Sequence, residues 1–227
     1  MRKQIGLDKI KELWKNFAVT NQTKEKIEET PLFLSEKELK KFLKDAADSR
    51  KMIEKLGLPP LRNTVEIKKI TAYVKEGNSL NPRQLESVEN MLATVQLLKD
   101  YLRWGKLYDN PLAVCGEKLK VLEELREEIC RQIKDGKIDD YASIELLRIR
   151  KNMRKCGRKP ERQEEPRLYK DNEREEINRI LRELTDMIAE SEEAIYTDIA
   201  VIEELDFLFS KGRLSIAMDA GEGTEFG

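Results

Sequence analysis

Apolar residues recur along this chain at intervals of three, four and seven, the spacing that lines one face of an α-helix and not one face of a strand. Near the N-terminus Leu7, Ile10, Leu13, Trp14 and Phe17 form one such stripe and predict a helix over about residues 7–18. Ser35-Glu36-Lys37-Glu38 reads as a capping box, and the helix it opens carries Leu39, Phe42, Leu43, Ala46 and Ile53 on one side. Leu58-Pro59-Pro60-Leu61 ends it, because proline lacks the backbone donor and drives the preceding residue to an extended conformation. A short helix follows over about 64–75 and stops at Gly77. Asn81-Pro82-Arg83-Gln84 starts the next, with asparagine as N-cap, proline at the first helical position and glutamine at the third. Leu85, Val88, Leu92, Val95 and Leu98 carry that helix to about Trp104.

Beyond a loop at 105–111, Leu119, Leu122, Leu125, Ile129 and Ile133 predict a helix that ends at Asp135-Gly136, a left-handed stop. Asp139 to Ser143 is a turn, with Ser143 the expected cap of a helix holding Ile144, Leu147 and Ile149. Residues from about 156 to 170 are polar, contain one glycine and two prolines, and read as a loop between two arms. From about Lys170 to Ala217 one pattern returns through Ile177, Leu181, Leu184, Ile188, Ile195, Ile199, Ile202, Leu205 and Phe209. A single helix of about 45 residues would be ~68 Å long. The expected fold is therefore all-α: a helical core bundle over 1–135, and long antiparallel lever helices over 136–220 that form a coiled-coil-like hairpin packing back on the core. The Gly-rich segment 221–227 is expected to be a disordered tail and reads as a cloning remnant.

Composition fits long helices with one buried stripe and a wide solvated face. Of 227 residues, 38% are charged and only 6% aromatic, while 39% hydrophobic content is enough to build a core. Lys+Arg 43 against Asp+Glu 44 leaves a net charge of -1, so any attraction to nucleic acid must be local. Cys115, Cys130 and Cys156 are odd in number, with no CxxC spacing, and read as reduced thiols. With no histidine, a Ser/His/Asp triad, a Cys/His pair and a histidine-ligated zinc site are excluded. Glu123/Glu124, Glu127/Glu128 and Glu192/Glu193 are interleaved with Lys and Arg as on solvated helix faces. Asp139 and Asp140 fit helix-start chemistry without a metal. The N-terminus lacks an apolar signal core and no apolar run approaches the length of a membrane span, so the expected compartment is the cytoplasm.

One constellation stands out. Arg148, Arg150, Lys151, Arg154, Lys155, Arg158, Lys159 and Arg162 fall within fifteen residues that hold a single acid, Glu161. Such density can contact several phosphates, each adding salt-sensitive affinity through counterion release. Arg150, Lys151, Arg154, Lys155, Arg158 and Lys159 are the candidate nucleic-acid-binding residues. The competing reading is a solvated helix end whose cations complement the C-terminal dipole, with Glu164, Glu165, Asp171, Glu173, Glu175 and Glu176 close enough in sequence to neutralise them.

Several stretches, taken in order, resemble the core and lever region of the MutS family. Gly57-Leu58-Pro59-Pro60-Leu61 and Lys75-Glu76-Gly77-Asn78-Ser79-Leu80-Asn81-Pro82-Arg83-Gln84-Leu85 are similar to the family's "PPL … KGG.L.P.QL". Gly136 to Leu146, with Ile149-Arg150, resembles "GEVDDYASPEL..IR". Arg179 to Thr185 resembles "RIL..LT", and Leu205 to Arg213 resembles "LDFIFAKAR". The likeness runs over most of residues 5–220 and is nearest to the second MutS subfamily. Two departures accompany it. Only about 156–170 stands where the family inserts its DNA-closing clamp, and no GxxxxGK[ST] phosphate loop is present.

The resemblance implies a core and lever module of a DNA-repair or recombination-control protein, coupling an ATPase absent from this chain to nucleic-acid engagement. It implies no enzyme activity and no cofactor in this chain, ATP and magnesium being held by the family's ATPase domain. Implied partners are DNA, that ATPase domain and, in some members, the ribosome, with no membrane. The family context implies a dimer, and the fragment alone is compatible with a monomer. The alternative is a protein-interaction or ribosome-associated helical scaffold without intrinsic DNA binding.

Overall fold

The structure, a computed structural model, describes residues 2–31, 34–156 and 165–222. It is all-α, as the periodicity predicts. The helices are α1 (Arg2–Lys15), α2 (Asn21–Glu29), α3 (Glu36–Leu56), α4 (Val65–Lys75), α5 (Pro82–Lys106), α6 (Glu123–Gln132), α7 (Ile144–Cys156), α8 (Glu165–Glu190) and α9 (Glu192–Glu222), with a 3₁₀ segment at Pro111–Glu117. No described helix is long and apolar enough to cross a membrane. Residues 157–164, most of the expected loop, and 223–227, most of the expected tail, lie outside the described residues.

The local start and stop signals act as read. Ser35 and Glu38 cap α3 reciprocally, the Ser35 N–H donating to Glu38 Oε2 at 2.8 Å and the Glu38 N–H to Ser35 Oγ at 3.3 Å. The Ser35 hydroxyl, donating to the same Oε2 at 2.6 Å, and then the Ser35 N–H hold the Glu38 carboxyl below its ordinary pKa. Asn81 and Gln84 do the same for α5, at 2.9 and 3.0 Å. Gly57 and Gly77 terminate α3 and α4 with φ of 81° and 84°, where a side chain is disfavoured.

Three expectations are corrected, and one unannounced helix is added. The turn after α1 leads into α2, a helix that the pattern does not announce, capped by the Thr20 hydroxyl accepting from the Thr23 N–H at 3.2 Å. The helix expected through Leu119 to Ile133 is only α6, because Asp135 and Gly136 both take positive φ (52° and 66°) and fold a two-residue hairpin between β1 (Ile133–Lys134) and β2 (Lys137–Ile138). Residues 165–170, expected in the loop, are helical and open α8. The single helix expected over 170–217 is two, broken at Ser191, whose N–H is shared between the carbonyls of Met187 and Ile188 at 3.2 and 3.1 Å.

The chain forms two compact units, each assembled from distant segments. The first comprises residues 1–65, 94–121 and 194–227. Its α9 is the organising helix, and every residue from Asp206 to Gly212 except Leu208 is buried or sits against a ring. Trp14, Ala18, Ile27 and Leu214 form a buried cluster, with Phe17, Phe42 and Phe207 packed on it. Asp206, buried, accepts the Val19 N–H at 3.0 Å, and the Thr20 N–H and hydroxyl at 2.7 and 2.9 Å, so it fixes the turn between α1 and α2. The Trp14 indole donates to Ser210 Oγ at 2.8 Å. Lys211, buried, pairs with Asp45 of α3 at 2.7 Å and lies over the rings of Phe207 and Phe42. Burial pulls the Lys211 amine below its ordinary pKa, against the opposing pull of Asp45. At Gly212 α9 passes close to α3: a Cβ there would lie 2.6 Å from Ser49 Cβ and 2.8 Å from the Arg50 backbone nitrogen.

The second unit comprises residues 66–93 and 122–193. Ile67 and Ile70 of α4, Leu85, Val88 and Leu92 of α5, and Ile180, Leu184 and Ile188 of α8 are buried at helical spacing. The Leu80 N–H donates to Thr185 Oγ1 at 3.0 Å, tying the entry of α5 to α8. Ile133 and Ile138, paired across the hairpin, are both buried, which explains why the chain turns back there instead of continuing a helix.

Candidate nucleic-acid interface

The basic segment is built on α7 and the turn before it, all within the second unit. Ser143 caps α7 by accepting the Leu146 N–H at 3.0 Å, and its hydroxyl donates to Glu176 of α8 at 2.6 Å. Further along α7, Arg150 donates to Glu173 of α8 at 2.7 Å. The partner number falls as the α7 number rises, as in an antiparallel pair.

The candidate residues separate into two groups. Arg150 is a clamp: besides Glu173, its guanidinium reaches Asp140 at 2.6 Å and the Ile138 carbonyl at 3.2 Å, and only 18% of the side chain is exposed. Burial lowers its pKa, but Glu173 and Asp140 outweigh burial and the net shift is upward. Asp140 is held below its ordinary value by Arg154 first and Arg150 second. All five guanidinium donors cannot serve a phosphate while three bonds engage the group within the fold.

Lys151, Arg154 and Lys155 are exposed. Arg154 shares Asp140 with Arg150 at 2.5 Å yet leaves most of its side chain in solvent, and among the described residues Arg148 pairs only with Glu145 one turn back. Among the described residues neither Lys151 nor Lys155 has an ion-pair partner. Arg158, Lys159 and Arg162 lie outside the described residues. Of the α8 acids near the segment, Glu173 does neutralise one of its members, Arg150, whereas Glu176 is engaged by Arg179 and Ser143.

Arg167, Lys170 and Arg174 of α8 do not stand out in the sequence, because acids lie close to them. In the helix they fall three and four apart, on one face, and all three are exposed without an ion-pair partner among the described residues. The signal is their spacing, which composition averages away.

The fold and this site describe a helical module, built from two units, with exposed cations on both helices of an antiparallel pair. No family model matches the chain. It is similar to "Endonuclease MutS2" of Clostridium tetani, 27% identical over 201 residues, which covers 86% of this chain and 23% of that protein. "Endonuclease MutS2" of Clostridium botulinum strain Eklund 17B is 26% identical over 206 residues, 87% of this chain and 24% of the relative. That of Clostridium beijerinckii is 30% identical over 158 residues, 66% and 20% respectively. The chain thus spans about a quarter of the length of the curated relatives it matches.

Proposed function

We propose that this chain is a core and lever module of a MutS-like DNA-repair or recombination-control protein, engaging nucleic acid through phosphate contacts on the α7–α8 pair. The observation that carries the reading is the set of exposed cations without ion-pair partners among the described residues, Lys151 and Lys155 on α7 and Arg167, Lys170 and Arg174 on α8, in a chain similar over most of its length to proteins named endonuclease MutS2. In this reading the chain holds no catalytic residues of its own, and ATP with magnesium belongs to an ATPase domain it works beside. Binding is independent of base sequence, since phosphates carry no sequence information. The pairing of Arg148 with Glu145 and Arg154 with Asp140 favours the second reading, a protein or ribosome-docking scaffold without DNA affinity.

The two separate on a salt titration. The chain should bind duplex or branched DNA weakly at low salt, with affinity falling steeply as salt rises. Replacing Lys151, Arg154, Lys155, Arg158 and Lys159 by Gln should weaken binding and flatten the salt slope by about 0.9 for each phosphate that is no longer neutralised, and further replacement of Arg167, Lys170 and Arg174 should remove most of what remains. Arg150 is left in place because it holds the fold. Equal loss on replacing Lys37, Lys40, Lys44, Lys51 and Lys55 of α3 would reduce the effect to generic cation attraction, and no binding by the parent at low salt would refute the DNA reading.

A further inference from the structure

The first unit contains a cavity of about 460 Å³ between α2, α3, the 3₁₀ segment and α9. Its walls are apolar and aromatic, with Phe42, Phe207, Leu112 and Leu208 among them. The charged groups around it are unevenly committed. Each acid is already bonded: Glu38 to Ser35 in the cap of α3, Asp45 to Lys211 at 2.7 Å, and Glu204 to Lys118 at 3.3 Å. The cations differ. Lys26 lies 4.2 Å above the Phe207 ring and Lys41 lines the same cavity, both exposed and neither with an acidic partner among the described residues. Lys211 approaches Phe207 from 4.5 Å. Lys26 over an aromatic ring and Lys41 in the same lining, in a cavity of small-molecule size, make a site whose unmet demand is for negative charge attached to an apolar body.

We propose that this cavity binds a small organic anion, a carboxylate, sulfonate or phosphate on an aromatic or aliphatic body, with Lys26 and Lys41 pairing the anion and Phe42 and Phe207 covering the apolar part. The inference does not depend on the nucleic-acid reading. The apolar face of such a ligand gains by leaving water, and the charge-assisted bonds to the two lysines are the stronger kind. Lys211 is a structural neighbour and not a ligand group, since Asp45 already holds it.

The probe is 1-anilinonaphthalene-8-sulfonate, with uncharged N-phenyl-1-naphthylamine as its comparator, followed by fluorescence of the intact chain. Buried Trp14 is a second reporter, because its ring lies 5.1 Å from Phe42 and 5.5 Å from Phe207 by centroid. The sulfonate should bind one to one and at least about tenfold tighter than the neutral analogue, and the Lys26→Gln/Lys41→Gln double variant should lose about tenfold or more in sulfonate affinity while binding the neutral compound unchanged. Both lysines are exposed, so the variant should melt like the parent. Equal affinity for the two compounds, or an unaltered sulfonate affinity in the variant, overturns the proposal.

Discussion

The close approach of α9 to α3 at Gly212 makes a demanding test of how the first unit is held together. Replacing Gly212 by Ala adds one methyl group inside α9, and in an isolated helix this change is favourable by about 1 kcal/mol. Here the new Cβ would lie 2.6 Å from Ser49 Cβ, 2.8 Å from the Arg50 nitrogen and 2.9 Å from the Ser49 carbonyl carbon. Carbon atoms in contact prefer about 3.5–4.0 Å, so the crossing must open by roughly 1 Å. The obstruction is mostly backbone, which no rotamer change can relieve. Opening also strains the bond between the Ser49 hydroxyl and the Leu208 carbonyl, 2.8 Å, and the adjacent Lys211–Asp45 pair. Overpacking of this kind costs about 1–3 kcal/mol, and with backbone in the way the upper part of that range applies, leaving a net loss of about 2 kcal/mol after the helix-propensity gain. Urea unfolding followed by circular dichroism and tryptophan fluorescence should show the midpoint lowered by roughly 1 M. Gly105→Ala in α5 is the control: the main obstacle to a Cβ there is the terminal methyl of Met52, which can swing aside, so its midpoint should stay near that of the parent. A Gly212→Ala variant as stable as the parent, or more so, would refute the claim that α3 and α9 meet backbone to backbone.

Three further outcomes follow from buried charge. Asp206→Ala strips the acceptor from the Val19 and Thr20 N–H groups and should cost about 2–4 kcal/mol, with Asp206→Asn, which keeps one oxygen, falling between it and the parent in urea unfolding. Asp198 is 1% exposed, with Oδ1 accepting the Lys120 N–H at 2.7 Å and no hydrogen-bond partner for Oδ2 among the described residues; burial pushes its pKa up to about 6, against the lowering effect of that N–H. An acid raised in the folded state contributes stability that is fully present below its unfolded pKa and is lost as pH rises through about 6, so this group should cost about 1–2 kcal/mol between pH 4 and 7. Asp198→Asn should flatten that slope in melts scanned over the same range, and an unchanged slope would assign it elsewhere. Arg150→Gln should destabilise the chain by about 1–3 kcal/mol by leaving Glu173 and Asp140 short of a partner, whereas Lys151→Gln should leave the unfolding midpoint unmoved.

The candidate site was legible as a charge density and not as a set of pairings. Sequence spacing puts Arg150 beside Lys151 and Arg154 as equals, yet Arg150 is taken up by Glu173 and Asp140, twenty-three and ten residues away, while Lys151 is exposed. Conversely Arg167, Lys170 and Arg174 are hidden among acids until α8 puts them on one face.

What the sequence determined by itself was the set of interactions that close within about four residues. The 3.6-residue periodicity made the chain helical, the Ser35/Glu38 and Asn81/Gln84 boxes started α3 and α5, and Gly57 and Gly77 stopped α3 and α4, because each partner is supplied by its own neighbours. Only the tertiary structure decided whether Asp135-Gly136 would end a helix or turn a hairpin, since local geometry admits both and the burial of Ile133 and Ile138 together selects the hairpin. It likewise decided that residues 66–93 pack with 122–193, and that Asp206 and Gly212 serve the turn after α1 and the crossing with α3. Those outcomes depend on which distant segment arrives opposite a residue, and a residue's own neighbours carry no record of that.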